Sequence, residues 1–115
     1  MDINEAIITA VTPIVPVCVP DAYRPDAGEP EAETYCVFNY TEMADSFGDD
    51  EPGAIRYLGQ LHLYLPFGPS PIRLKRALRR AMLNIGCAVG DFTNLTDLDG
   101  QHYVLEFEYV DGEVG

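Results

Sequence analysis

The sequence predicts an α+β domain: an antiparallel sheet of about four to five strands built from hairpins, with two helices packed on it. Three observations lead there. Residues 34–43, 55–65 and 101–110 alternate apolar and polar side chains, as strands do. Two windows, Ile3–Val11 and Ile72–Ile85, repeat apolar residues at helical spacing. Segments rich in Gly, Pro and Asp separate these runs. Strands joined by hairpins, with helices on one face, make an antiparallel α+β sandwich. At 115 residues the chain reads as a single domain, 1–115, with a core that needs no staple.

Taken in order, Asp2-Ile3-Asn4-Glu5 has capping-box spacing, with Asp2 in place of the usual Ser or Thr. Ile3, Ala6, Ile7, Ala10 and Val11 then follow helical spacing until Pro13, which predicts a first helix of about three turns. Ile14 to Val19, punctuated by Pro16 and Pro20, reads as a short extended segment, at best an edge strand. Residues 20–33 hold three Pro, one Gly and five acids, the composition of an exposed loop. In Thr34 to Met43, Cys36, Phe38 and Tyr40 line one face, and Tyr35, Val37 and Asn39 the other. Ala44 to Ala54 is a long acidic hairpin loop, and Ile55 to Leu65 is the returning strand. Ile55, Tyr57, Leu61, Leu63 and Leu65 share a face there with Gly59.

Pro66-Phe67-Gly68-Pro69 turns the chain into the second helix. Ser70 is a good N-cap, Pro71 suits the first helical position, and Gly86 suits the left-handed residue that ends a helix. Leu74, Ala77, Leu78, Ala81, Met82 and Ile85 form one apolar stripe, which faces the core. The helix also carries Arg73, Lys75, Arg76, Arg79 and Arg80, five of the seven cations, and no acid. Ile72 and Leu83 fall among these arginines, which suggests a contact face, and the alternative is an ordinary solvated cationic face. A weaker strand near Phe92 to Thr96 leads to Asp99-Gly100, a tight-hairpin dipeptide. Gln101 to Val110 is the last strand, with Tyr103, Leu105, Phe107 and Tyr109 facing inward and Glu106 and Glu108 outward.

Composition narrows the function. A net charge of −12 and a pI near 4.2 argue against nucleic-acid binding, which needs cations along a phosphate track. Such acidity favours solubility or pairing with basic protein surfaces. No apolar run approaches the roughly 18 residues that cross a bilayer, and the first residues are acidic where a signal peptide is basic, so an intracellular protein is expected. Cys18, Cys36 and Cys87 are odd in number and lack C-x-x-C spacing, which argues against a disulfide framework and a zinc site. Cys36 belongs to the core.

His62 and His102 each fall on a strand face opposite the apolar row, where they pair with each other or bind a metal with Glu106. Two histidines on separate strands without short ligand spacing are more often plain surface residues. Asp49-Asp50-Glu51 and Asp97-Leu98-Asp99-Gly100 resemble calcium loops only superficially, since neither has the alternating oxygen ligands and closing Glu. Both read as turn chemistry. With no nucleophile motif and no phosphate-cradling loop, neither an enzyme nor a cofactor is expected.

The order of N-terminal helix, Tyr35-Cys36-Val37-Phe38-Asn39-Tyr40 strand, long Gly/Asp-containing hairpin loop, second long strand, helix Ile72–Ile85 and final hairpin ending Tyr103-Val104-Leu105-Glu106-Phe107-Glu108-Tyr109 is similar to a known family. These are the small tail-completion proteins of long-tailed bacteriophages, the tail-terminator and head–tail joining proteins. The resemblance covers most of the chain and is one of architecture. It implies a non-enzymatic protein, assembled as a homo-oligomeric, typically hexameric ring that stops tail-tube growth and docks the tail to the head. Its partners are then itself, the tail tube and the head–tail connector, and its place is the virion tail, or the host cytoplasm during assembly. A ring interface is heterologous, one patch meeting a different patch. Arg73, Arg76, Arg79 and Arg80 meeting Asp49, Asp50, Glu51 or Glu106 and Glu108 set its register. Exposed pairs contribute below about 1 kcal/mol each, so Ile72, Leu83, Phe47 and tyrosines supply the affinity. The alternatives are a small acidic protein-binding module, an inhibitor-like partner of a basic protein, and a small-ligand enzyme using His62 and His102.

Overall fold

The computed structural model describes residues 2–25, 27–28, 31–44 and 55–111. They form α1 (Ile3–Val11), β1 (Cys18–Pro20), β2 (Tyr35–Ala44), β3 (Ile55–Leu65), α2 (Ile72–Asn84), β4 (Ala88–Asn94) and β5 (Gln101–Asp111). The strands make one sheet in the order β1-β2-β3-β5-β4, in which every pair but one is antiparallel. The α+β class and the mainly antiparallel sheet match expectation. The exception is β1, which runs parallel to β2 with Cys18 opposite Cys36. A parallel neighbour needs a return connection of a dozen residues or so, and segment 21–34 supplies it. β3 and β4, both antiparallel to β5, run in the same direction on either side of it, with α2 as the crossover between them.

α1 starts where the Asp2 carboxylate accepts the Glu5 N–H at 2.8 Å, and it buries Ile3, Ala6, Ile7 and Val11. The Tyr40 hydroxyl donates to Asn4 Oδ1 at 2.6 Å and ties β2 to this helix. α2 starts one residue later than expected. Pro71 is its N-cap, the Pro71 carbonyl accepts from Lys75 N–H at 2.9 Å, and Ser70 Oγ accepts only a long 3.4 Å bond from Ile72. Proline has a carbonyl to start the ladder but no N–H to join it, so it fits just outside the helix as well as just inside. The other end closes as Gly86 implied: at φ +95°, Gly86 donates to Leu83 O at 3.0 Å and Cys87 donates to Met82 O at 3.1 Å. That pair of bonds satisfies two orphan carbonyls, and buried Met82 and Cys87 accompany it.

Both helices lie on one face of the sheet. Leu78 and Met82 of α2 and Ile7 and Val11 of α1 meet Cys36, Phe38, Leu61, Leu63 and Leu105 in the core, and these nine residues are fully buried. Cys18, Cys36 and Cys87 are free thiols buried in it, and burial pushes Cys18 up to about 12 and Cys87 up to about 11. Gly59 lies in register with Tyr40 on one side and Phe107 on the other. A Cβ there would meet the Asn39 carbonyl oxygen, Phe107 Cζ at 2.6 Å and Tyr40 Cβ at 2.8 Å.

The last hairpin differs from expectation. β4 spans Ala88–Asn94 instead of Phe92 to Thr96, because Gly90 and Asp91 together oppose one residue of β5 and interrupt the alternation. Asp99-Gly100 does not make a two-residue turn. Residues 95–100 form the connection, in which the Asn94 and Asp97 side chains accept from the N–H groups of Thr96 and Asp99 at 2.9 Å. Asp97 N–H donates to Gly100 O at 3.2 Å. Gly100 is needed for closeness, since a Cβ there would lie 2.9 Å from Leu65 O.

Candidate functional site

The outward side of α2 is basic. Arg73, Arg76, Arg79 and Arg80 are exposed, and Ile72 and Leu83 among them are 52% and 45% exposed. Among the described residues none of these arginines is in an ion pair. Two cations of the helix are engaged locally. Lys75 Nζ sits 4.7 Å from the centre of the Tyr103 ring, and Arg79 Nε donates to Gly90 O at 3.1 Å, on the bulge of β4. Arg73, Arg76 and Arg80 border a shallow groove of about 620 Å³ with Leu83.

The acidic residues expected to meet this face divide. Glu106 is exposed on β5. Glu108 is held by its own chain, with Oε1 2.7 Å from Arg56 Nε on the neighbouring β3. Phe47, Asp49, Asp50 and Glu51 lie outside the described residues.

On the sheet face away from the helices, the register of β2, β3 and β5 assembles a row of rings that the sequence shows only in pieces. Tyr23 packs on Tyr35 at 4.7 Å, Tyr35 stacks on Tyr64 at 4.8 Å, and Tyr64 stacks on His102 at 4.2 Å. His102 stacks in turn on His62 at 5.1 Å. Alternation placed Tyr35, His62 and His102 on this face. Their contact depends on Tyr64 standing opposite both Tyr35 and His102, a long-range register that alternation does not carry. A cleft of about 640 Å³ opens along Tyr35, Tyr64 and His102, and Glu31, Glu33, Asp97 and Asp99 rim it. The carboxylates are felt by the rings. Tyr64 is raised above the usual phenol range by burial and then by Asp97, and Tyr35 by burial, then Tyr64, then Glu31.

The two histidines pair, with His62 Nδ1 and His102 Nε2 2.8 Å apart. His62 Nε2 lies 3.2 Å from Gln60 Oε1 and 3.4 Å from Asn39 Nδ2, and the tautomer sets which ring nitrogen donates in the pair. Burial, then the neighbouring His102, lowers His62 below the usual imidazole range. Burial lowers His102 too, with Asp97 acting the other way. Groups depressed in the folded state bind more protons unfolded, so their stabilisation is complete above the unfolded value and is lost as pH falls below it. The stability difference between wild type and His62→Gln/His102→Gln is expected to shrink between about pH 7.5 and pH 5.5. Urea midpoints at both pH values measure it, and a constant difference would refute it. Among the described residues no three His, Cys, Asp or Glu side chains are placed to share a metal ion, so Glu106 does not complete a triad with the pair. The Asp97–Gly100 segment serves as turn chemistry, with Asp97 capping Asp99.

No protein-family model matches the chain, and no curated protein matches it.

Proposed function

We propose that this chain is a non-enzymatic structural and assembly protein of a bacteriophage virion, tail-terminator-like, which forms a homo-oligomeric ring that ends tail-tube growth and joins the tail to the head. The observation that carries the proposal is the outward face of α2. A row of exposed arginines with Ile72 and Leu83 set among them, on a protein of net charge −12, is suited to meeting an acidic protein surface. The order of elements supports it, since helix, long two-strand hairpin, helix and final hairpin is the layout of the tail-completion proteins that the sequence resembles. The partners are then other copies, tail-tube protein and the head–tail connector.

The reversal Arg76→Glu/Arg80→Glu tests it. Wild type is expected to run as a discrete species near six protomers by light scattering after size exclusion, and to dissociate at high salt, where exposed charges are screened. The variant is expected to keep its circular dichroism spectrum and run as a monomer. Unchanged assembly of the variant would count against the basic face. The acidic cleft favours one other reading, a module that captures a basic protein partner, under which wild type stays monomeric at every concentration and salt.

A further inference from the structure

We infer that the α2 face of one copy docks on the opposite side of the next copy, in the cleft between segment 31–35, the end of β3 and the β4–β5 connection. This rests on the proposal above that α2 is a self-association surface, and it names the surface that α2 meets.

The two patches match in charge, chemistry and relief. Arg73, Arg76 and Arg80 stand without ion-pair partners among the described residues on one side, and Glu31, Glu33, Asp97 and Asp99 rim the cleft on the other. The wall of the cleft is aromatic, with Tyr64 and His102 stacked 4.2 Å apart. A guanidinium stacks on such faces while its N–H fork engages a carboxylate, which an ammonium does less well. Relief agrees with charge. Leu98, between Asp97 and Asp99 at the tip of the β4–β5 connection, is 97% exposed and touches almost nothing in its own chain. The α2 groove bordered by Arg76, Arg80 and half-exposed Leu83 is an apolar-floored seat of the right kind for it.

Position decides that the partner is another copy. The helices and the cleft's aromatic wall lie on opposite faces of the sheet, since Tyr103 meets Lys75 of α2 while its neighbour in sequence, His102, faces Tyr64. No single molecule can bring its arginines to its own cleft. Head-to-tail docking uses one patch from each copy and leaves one of each open, so it propagates until the rotation closes. Glu108 is a poorer mate for the arginines because Arg56 already holds it.

The test mixes two variants of the full chain. Arg76→Glu/Arg80→Glu spoils the helix face and keeps the cleft. Glu33→Lys/Asp99→Lys spoils the cleft and keeps the helix face, leaving Asp97 in place because its side chain holds the Asp99 N–H. Each alone is expected to be a folded monomer by circular dichroism and light scattering. Mixed in equal amounts they have one intact pair of surfaces and one pair with both charges exchanged, and a species of at least twice the 12.7 kDa chain mass is expected. Leu98→Ser, which changes no charge, is expected to weaken wild-type assembly at least tenfold in midpoint concentration. If the cleft variant assembles like wild type while the helix variant does not, α2 self-association stands and its docking in the cleft is overturned. If the helix variant assembles like wild type, both are overturned. A mixture that stays monomeric also overturns the docking.

Discussion

Gly59→Ala is expected to cost about 3 kcal/mol, at the upper end of what one extra carbon does in a packed interior. The reason lies in what surrounds it. The new methyl would strike the Asn39 carbonyl, which is main chain, as well as Phe107 Cζ at 2.6 Å and Tyr40 Cβ at 2.8 Å. A flexible side chain yields by rotating, but a carbonyl inside the β2–β3 ladder moves only with its strand. For a domain of this length the loss corresponds to a fall of about 12 °C in the unfolding midpoint. Gly90→Ala is the control, because a Cβ there meets nothing within 4 Å. Its effect is expected within about 0.5 kcal/mol. Thermal melts followed by circular dichroism compare the two, and equal midpoints would defeat the argument for close approach at Gly59.

Leu78→Ala is expected to be about as damaging, at about 3 kcal/mol, since a fully buried leucine is replaced by a cavity between α2 and the sheet. Five residues further along the helix the balance reverses. Leu83→Ala removes a side chain that is 45% exposed, so a stability change within about 0.5 kcal/mol is expected, but weaker assembly. Urea unfolding and native mass, measured on both variants, separate anchoring α2 from using it. Two variants that behave alike in both measurements would mean that the helix has no such division between its faces.

What the sequence revealed depended on how local the governing physics is. The limits of β3, the inward stripe of α2 and the left-handed Gly86 follow from alternation, helical spacing and backbone sterics, all carried by adjacent residues. The same is true of the charge split that singles out α2. The parallel pairing of β1 was hidden, because nothing in Cys18–Pro20 says which strand segment 21–34 will bring beside it. In β4, Gly90 and Asp91 broke the alternation, so its first half was missed. Asp99-Gly100 had the signature of a tight turn, but capping by Asn94 and Asp97 and the approach to Leu65 O fixed a longer connection. The Tyr35–Tyr64–His102–His62 row was the largest omission. Its members lie on three strands, and only the β2–β3–β5 register makes them neighbours.

The two outermost strands carry a consequence of their own. β1 is three residues long and ends in Pro20, which has no N–H to offer, and β4 is kinked where Gly90 and Asp91 swell its ladder. Flat, unbroken rims invite strand addition from other molecules and the runaway growth that ends in fibrils. Here β1 is too short to template much, although it covers β2 only along Cys36–Phe38, and β4 is bent out of line. Both outermost strands are thereby poor templates for the strand addition by which a β-sheet aggregates, a property that would suit the assembly proposed above.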